Sequence, residues 1–477
     1  MQFNSLIFGF FFVAIFLAYW PARWLGYRAQ NVLLLLVSAV FFAWWDYRFL
    51  LLLYGAAIVD YAAGWGLVHD ASLKRRKFWL GVSLTVNLCL LGFFKYYNFF
   101  AESFVDFVAI FGIGADVRTL NLILPLGISF FTFQRLTYTI ELYRKRIEVT
   151  RDLVAFLCFS GFFPVVTAGP IERANRLLPQ FLKARNFDVA KAKDALRQIL
   201  WGLFRKIVIA DNLVAPVAEA FGETSRMSGM DLGVGVFLFS IQIYVDFAAY
   251  SDIAMGCGKL LGFRIMRNFA YPYFSRDIAE FWRRWHISMS FWFRDYVYTP
   301  LSMHVSLARH WRRFWNVMVT FTVSGLWHGA NWTFVAWGFL HGLFFIPHVF
   351  GKPPQHETAI AAEGKLLPNL REIGQLTVTF VIVTLAWVFF RADSLGHAFA
   401  YFSRMFTATW LVMPKHGLAV IYSLAILALE WIRRERIHSF EIQNLPVVVR
   451  WGLYLAVVFA IAVFGEFGVH DFYYAQF

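Results

Sequence analysis

The sequence predicts an all-α protein, a polytopic transmembrane bundle of roughly 10–13 membrane segments, some of them re-entrant, around a central tunnel. Three observations predict it. Of 477 residues, 59% are hydrophobic and 16% charged, with a mean hydropathy of +0.56, and a soluble chain of this length needs far more charge to cover its surface. Apolar runs approaching the roughly 20 residues that cross hydrocarbon recur from end to end. No strand-like alternation and no long polar stretch interrupts them, so a single domain over residues 1–477 is expected.

Leu6–Trp20 comes first. Met1–Ser5 holds no Lys or Arg and no small-residue cleavage site follows, so the run reads as a retained helix and not as a signal peptide. Val32–Trp45, Phe49–Val68 and Phe78–Phe94 follow, separated by short polar turns. Asp46 falls in a short outer turn before Tyr47–Arg48, and Asp60, inside a run, predicts a hydrogen bond to a neighbouring helix. Then come Leu120–Leu142, Leu153–Val166, Leu232–Ala254, Leu376–Phe390, Leu418–Ile432 and Val447–Phe464. Cys89, Cys158 and Cys257 all lie in apolar runs, form no motif and read as core packing.

The net charge of +14 does not indicate nucleic acid. The cations form short clusters between apolar runs, at Lys74–Lys77, Arg144–Arg146, Arg309–Arg313 and Arg433–Arg436, the pattern of cytoplasmic loops. Counting from Arg23 and Arg28 places the N-terminus outside. Leu153–Val166 and Ile287–Leu301 each have basic residues on both flanks, so each is expected to enter the membrane and return. Pro164, Gly169–Pro170 and Pro300 fit such broken paths, which are tolerated only where protein or a water-filled cavity surrounds them.

The stretch Phe314–Pro347, as one helix, would span roughly 50 Å, too long for one straight crossing. Gly325 and Gly329 bracket Trp327–His328, the natural place for a break. His328 would then face a cavity, with Asn331 on the same face if the next turn is helical. Such a histidine can be a helix–helix hydrogen-bonding residue, and the glycines packing notches. Ionisable groups at membrane depth are costly, however, and function is the default hypothesis for them. Desolvation favours neutral imidazole, the form that accepts a proton at pH 7.

Glu280–Asp295, EFWRRWHISMSFWFRD, interleaves polar residues with aromatic rings. Glu280 and Arg284 are a favourable i,i+4 pair, and His286 and Ser290 share a face. Arg283 and Arg284 fit an interfacial helix with Arg and Trp at headgroup level; for His286 both a structural and a functional role stay open. In Ser240–Gly256, Gln242, Asp246 and Tyr250 form a polar stripe on an apolar helix, read as tunnel lining or as an interhelical bond. His341, 13 residues past His328, would project from a different face. His304, His310, His348, His356, His397, His416, His438 and His470 lie at run ends or in loops. No spacing makes a metal site, and no Walker loop, dinucleotide fingerprint or nucleophile elbow is present.

"EFWRRWHISMSFWFRDYVY" followed by "GLWHGANWTFVAWGFLHG" resembles the membrane-bound O-acyltransferases. "LPLGISFFTFQ" at Leu124–Gln134, "AGPIER" at Ala168–Arg173, "VDFAAYSDIAMG" at Val245–Gly256 and the aromatic tail Phe472–Phe477 extend the resemblance over nearly the whole chain. It is to the bacterial branch of the alginate O-acetylation proteins, whose relatives acetylate other exopolysaccharides and peptidoglycan; the D-alanine transfer proteins of teichoic acid modification are cousins. One stretch departs: where alginate-type members continue with a Gly-Gly-Asn-Arg turn, this chain reads LSMHVSLARH at Leu301–His310.

The resemblance implies acyl transfer from a cytoplasmic thioester, acetyl-CoA or another acyl donor, to a hydroxyl presented from the other side of a bacterial inner membrane. His328 matches the family's catalytic histidine, and His286 the upstream polar residue, which is His in this branch and Asn or Asp in others. Gln242, Asp246, Tyr250, Trp285, Ser290, Trp327 and Asn331 are expected to bind substrate or line the route. No Ser or Cys here is an obvious covalent relay and no bound cofactor is expected. The resemblance implies a periplasmic partner with a Ser-His-Asp site (an SGNH-type acetyltransferase) that completes transfer to the polysaccharide. Two other readings stay open: D-alanyl transfer from a carrier protein, and transport of a polysaccharide or acyl donor without chemistry.

Overall fold

The computed structural model describes residues 1–70, 72–303, 310–351, 360–468 and 472–473, and the expected positions His304, His356 and His470 lie outside them. The chain is 74% helical, with no strand among the described residues. Eight of the described helices are long and apolar enough to cross a membrane, and the shorter apolar stretch Leu153–Val166 adds to them. The chain is a multi-pass membrane protein. It forms two compact units, one of residues 1–196 with 254–266, the other of residues 197–253 with 267 onward.

In the first unit, α1 (Leu6–Tyr19), α2 (Tyr27–Asp46), α3 (Arg48–His69), α4 (Leu73–Leu91), α5 (Ile128–Tyr143) and α6 (Leu153–Gly161) pack with α3 against α4, α5 and α6. Helix α1 starts where the sequence supplies a cap, the Ser5 hydroxyl accepting from Phe8 N at 3.1 Å. The run expected from Leu120 becomes helical only at Ile128, because Pro125 and the left-handed Gly127 (φ 74°) precede it. A Cβ on Gly127 would lie 2.3 Å from the Val166 carbonyl oxygen, so the close approach of that turn also requires glycine. The break expected near Pro164 is present: α6 ends at Gly161, Phe162 is non-helical, and a single turn Phe163–Val166 follows.

A buried polar cluster ties α3, α4 and α5 together. Asp60 accepts from the Ser83 hydroxyl at 2.6 Å and from Asn87 Nδ2 at 2.8 Å, and Arg135 Nε lies 3.3 Å from its carboxylate. Arg135 also donates to Asn87 Oδ1 at 2.9 Å and to the Leu53 carbonyl at 2.7 Å. All four side chains are inaccessible to solvent. This is the interhelical bond expected of Asp60, enlarged by an arginine. Asp46 pairs with Arg48 in an exposed turn. Among the cysteines, Cys158 and Cys257 are buried as expected, but Cys89 is exposed on α4, on a face that an apolar run can present to lipid.

In the second unit, α7 (Gly229–Leu260), whose last residues belong to the first unit, has 32 residues. At about 1.5 Å per residue it is longer than the hydrocarbon is thick. The short helices α8 (Ile278–Arg284) and α9 (Ile287–Phe293) follow, then α10 (His310–His328), α11 (Trp332–Phe344), α12 (Leu370–Arg391), α13 (Gly417–Arg433) and α14 (Val447–Phe464). Helix α14 has no buried residue, which suits an apolar helix facing lipid. Helices α10 and α11 form a tight hairpin at Gly325 and Gly338, whose Cα atoms approach so closely that a Cβ on Gly325 would lie 2.2 Å from the Phe334 carbonyl oxygen. Gly325 is thus a packing notch inside α10, and the helix break falls at Gly329.

Removing one member of the Asp60 cluster should cost more than removing the charge pair altogether. Arg135→Ala leaves a buried carboxylate without its cation and is expected to destabilise the protein by about 3–5 kcal/mol. Asp60→Leu combined with Arg135→Met should cost less. Thermal unfolding of the detergent-solubilised variants measures both, and equal melting of wild type and Arg135→Ala would contradict this account.

Candidate active site

His286 occupies the junction between α8 and α9. Helix α8 is anchored at its start by Asp277, whose carboxylate accepts from Glu280 N at 2.8 Å. Glu280 in turn binds Arg276 at 2.9 Å and Arg284 at 2.7 Å, the second being the pair that the spacing predicts. The helix ends at Arg284, Trp285 is driven into the core, and His286 adopts a left-handed conformation (φ 39°, ψ 56°) before α9 begins. That conformation is unfavourable for a residue with a Cβ, by about 1–2 kcal/mol, so neighbouring bonds must impose it.

Asn268 supplies those bonds. Its carbonyl oxygen accepts from Ile287 N at 2.9 Å, and Ala270 N, two residues further on, donates to the Arg284 carbonyl at 3.0 Å. Its side-chain oxygen accepts from the Ser288 hydroxyl at 2.6 Å and lies 3.4 Å from His286 Nδ1. A proton on Nδ1 shared with that oxygen leaves the lone pair on Nε2. The Asn268 amide donates to the Ser251 hydroxyl of α7 at 3.3 Å. Asn268 carried no motif signal in the sequence; its one mark is being an amide in the aromatic run NFAYPYF.

His328 is the last residue of α10 and is 2% exposed. The chain turns at Gly329, where a Cβ would lie 2.1 Å from the Phe334 ring. Asn331 caps α11: its side-chain oxygen accepts from Thr333 N at 3.0 Å while its amide donates to the Asp393 carbonyl at 2.9 Å. It therefore terminates the break and does not share a helix face with His328. The rings of His328 and His286 are 6.5 Å apart, centroid to centroid. Trp327, Trp337 and Phe390 surround His328 at 4.9, 5.1 and 5.5 Å. Trp337 also packs 4.7 Å from the ring of His341, which accepts from Trp282 Nε1 at 3.2 Å.

A cavity of about 520 Å³ lies among α8, α9 and α10; neither histidine lines it, but Met289 and Ser290, just after His286, do. Trp282, Met289, Phe293, Phe321 and Ser324 form part of its wall, and Ser324 lies one turn before His328 on α10. Three cations, Arg283, Arg294 and Arg313, also line it, with His348. Of the residues expected to line a route, Ser290 is in this wall. Trp285 lies in the aromatic core, stacked on Phe281 and 4.9 Å from Trp387.

The polar stripe of α7 is placed elsewhere. Asp246 accepts from Lys206 Nζ at 2.8 Å and from Tyr473 N at 2.7 Å, and Lys206 lies 2.8 Å from Asp211. The Phe472 ring sits over Lys206 at 4.3 Å and against Tyr250 at 4.9 Å. Of the two alternatives for this stripe, the geometry is that of interhelical bonding, and buried Gln242 belongs to the same face. A second network joins Asp252 to Gln198 (2.8 Å) and Arg205 (2.9 Å), and Arg205 to Glu430 (3.3 Å). Arg205 and Lys206 were legible only as two cations breaking an apolar run; a π-helical turn, Arg205–Ala210, carries them.

Residues 119–353, which hold His286, His328 and the cavity wall, match the model of the membrane-bound O-acyltransferase family. The chain is also 37% identical over 414 residues to the Pseudomonas aeruginosa protein named Probable alginate O-acetylase AlgI, covering 86% of this chain and 76% of that one. The chain belongs to the membrane-bound O-acyltransferase family. A second member, the Peptidoglycan O-acetyltransferase of Helicobacter pylori, is 32% identical over 83% of this chain and 78% of its own length. A third, the Teichoic acid D-alanyltransferase of Streptococcus thermophilus, is 34% identical over 47% of this chain and 57% of its own. As a family member the protein is an integral-membrane acyltransferase, and no group of His, Cys, Asp or Glu among the described residues could hold a metal ion.

If Asn268 sets the geometry of His286 in this acyltransferase, Asn268→Ala should lower acyl transfer by about 10–100-fold at normal membrane abundance, as loss of an orienting partner does elsewhere. Asn268→Asp, which keeps an acceptor oxygen, should recover part of the rate. Full activity in Asn268→Ala would remove the residue from the site.

Proposed function

We propose that this protein moves an acetyl group from a cytoplasmic thioester, acetyl-CoA, across a bacterial inner membrane for O-acetylation of an extracytoplasmic polysaccharide such as alginate. One observation carries the reading: two buried histidines 6.5 Å apart, one in a conformation imposed by Asn268, near a cavity that combines apolar walls with three arginines. An acyl thioester of a phosphorylated carrier has that same division, an uncharged reacting end and an anionic remainder. Arginine is suited to phosphate recognition.

In this mechanism neutral His328 accepts the proton of the acceptor hydroxyl as its oxygen attacks the thioester carbonyl carbon. A C–O bond forms, the C–S bond breaks, and the sulfur leaves as thiolate, which takes a proton to become free thiol. His286 orients the reacting groups or contacts the donor from the facing junction. Trp327, Trp337 and Phe390 pack around the His328 ring and hold it in place at the end of α10. The wall of Trp282, Phe293 and Phe321 excludes water that would otherwise hydrolyse the thioester.

The relatives named as O-acetylating proteins match over most of this chain, whereas the D-alanyltransferase matches over about half, which favours acetyl as cargo. That partial match keeps D-alanyl transfer as the second reading. Mass analysis of the modified polymer separates the two.

His328→Ala should reduce polymer acetylation by at least about a hundredfold, the lower end of what one acid–base group contributes, with membrane abundance unchanged. Retained activity would exclude it as the base. We further propose that the acetyl group passes to a periplasmic SGNH-type partner whose serine hydroxyl is the acceptor at His328. In proteoliposomes with labelled acetyl-CoA inside and polymer outside, label should reach the polymer only when the partner is added. Full-rate labelling without it would overturn the relay.

A further inference from the structure

A second cavity, of about 530 Å³, lies in the first unit where α3 and α5 end and α4 begins. Leu67, Leu142 and Val149 give it an apolar side; Arg76, Lys145 and Arg151 give it a cationic one. Its level follows from the helices. Arg48–His69 and Leu73–Ala109 are both candidate membrane spans, and the turn between them contributes Asp70 to the wall, so the cavity sits at the membrane edge. The neighbouring clusters Lys74–Lys77 and Arg144–Arg146 mark that edge as the cytoplasmic one.

The charges around this cavity do not balance. Asp70 is already paired with Arg75 at 3.3 Å and accepts from Trp79 Nε1 at 2.9 Å. Among the described residues, Arg76, Lys145 and Arg151 make no ion pair, and Glu148 is the wall carboxylate that makes none. Arg76 is fixed in place, donating to the Leu67 carbonyl at 3.1 Å and the Tyr143 carbonyl at 2.6 Å.

Lys145 adds an independent observation. Arg146 N donates to the Glu141 carbonyl and Lys145 N to the Leu142 carbonyl, the two bonds of a Schellman ending, which place Lys145 at the left-handed position (φ 58°) where glycine is usual. The sequence carries a long cation where the backbone alone would favour no side chain.

We propose that this cavity binds a phosphate diester, supplied by the headgroup of a membrane glycerophospholipid. Lys145 and Arg151 meet the phosphate beside the fixed charge of Arg76, Glu148 faces the polar end of the headgroup, and the apolar side takes the first methylenes of the acyl chains. Basic pockets between membrane helices are suited to such headgroups.

The test titrates full-length, delipidated protein in maltoside detergent with phosphatidylglycerol, diacylglycerol or sn-glycerol 3-phosphate, reading thermal stability. Phosphatidylglycerol should raise the melting temperature and diacylglycerol should not. Lys145→Gly and Arg151→Gln should each raise the half-saturating concentration roughly fivefold, the equivalent of one surface cation. Lys145→Gly should melt no lower than wild type without lipid, since it relieves the left-handed residue, so a lost response cannot be ascribed to misfolding. Saturation by glycerol phosphate at the same concentrations would keep the phosphate site and assign its source to a soluble ligand. An unchanged phosphatidylglycerol response in both variants, or none in wild type, would overturn the proposal.

Discussion

Hydrocarbon offers no partner to a buried charge or a broken backbone, so each one inside this protein has to be matched by another protein group. That constraint governs both units. In the first, Asp60 inside α3 is matched by Arg135, Ser83 and Asn87 from two other helices, which fixes three helices in register. In the second, Lys206 is matched by Asp246 and Asp211, and Arg205 by Asp252 and Glu430, which does the same around α7. Breaking any of these pairs singly strands a charge, whereas losing both partners removes the problem. The pairs therefore act more as specifiers of helix position than as net sources of stability.

The same constraint decides where irregular backbone can occur, and hence where chemistry can be placed. A continuous helix buries its own hydrogen bonds and presents side chains at fixed angles. A break frees backbone groups and re-aims a side chain, but only where something nearby satisfies what was freed. At the end of α10 that is Asn331, which caps the next helix and so allows His328 to stand at a helix terminus. Between α8 and α9 it is the segment Asn268–Ala270: the Asn268 carbonyl accepts from Ile287 N after the left-handed histidine, and Ala270 N donates to the Arg284 carbonyl before it. Two asparagines thus help to make two breaks tolerable, and a histidine stands at each.

Much of this was legible in the sequence, for identifiable reasons. Composition and run length establish the all-α membrane class because hydrocarbon thickness sets a length that few other folds require. The break near His328 was legible from an overlong apolar stretch with glycines in it, and the Glu280–Arg284 pair from spacing. What escaped was long-range pairing. Asp246 and Tyr250 are spaced as a stripe, and a stripe looks the same whether it faces a tunnel or a buried lysine. Lys206 lies 40 positions before its partner, and Asn268 is an amide whose significance depends on which turn lies beside it. Leu120–Gly127 and Cys89 were misplaced because apolar composition does not say where a helix starts or which of its faces meets lipid.

The arrangement around the histidines also shows why the polar stripe and the cavity among α8, α9 and α10 are separate. Around Lys206 and Asp246 opposite charges face each other at close range, and such a site has little left with which to hold a further ion. Around the cavity, Arg283 and Arg284 sit side by side in sequence, yet only Arg284 is bound to Glu280, while Arg283 joins the wall. Charge that is neutralised internally fixes structure; charge left facing a cavity can bind. For a thioester that must be held by an anionic tail while its carbonyl stays dry, the second condition is the useful one. Helix α8 provides it within two consecutive residues: Arg284 secures the helix that leads to His286, and Arg283 lines the cavity.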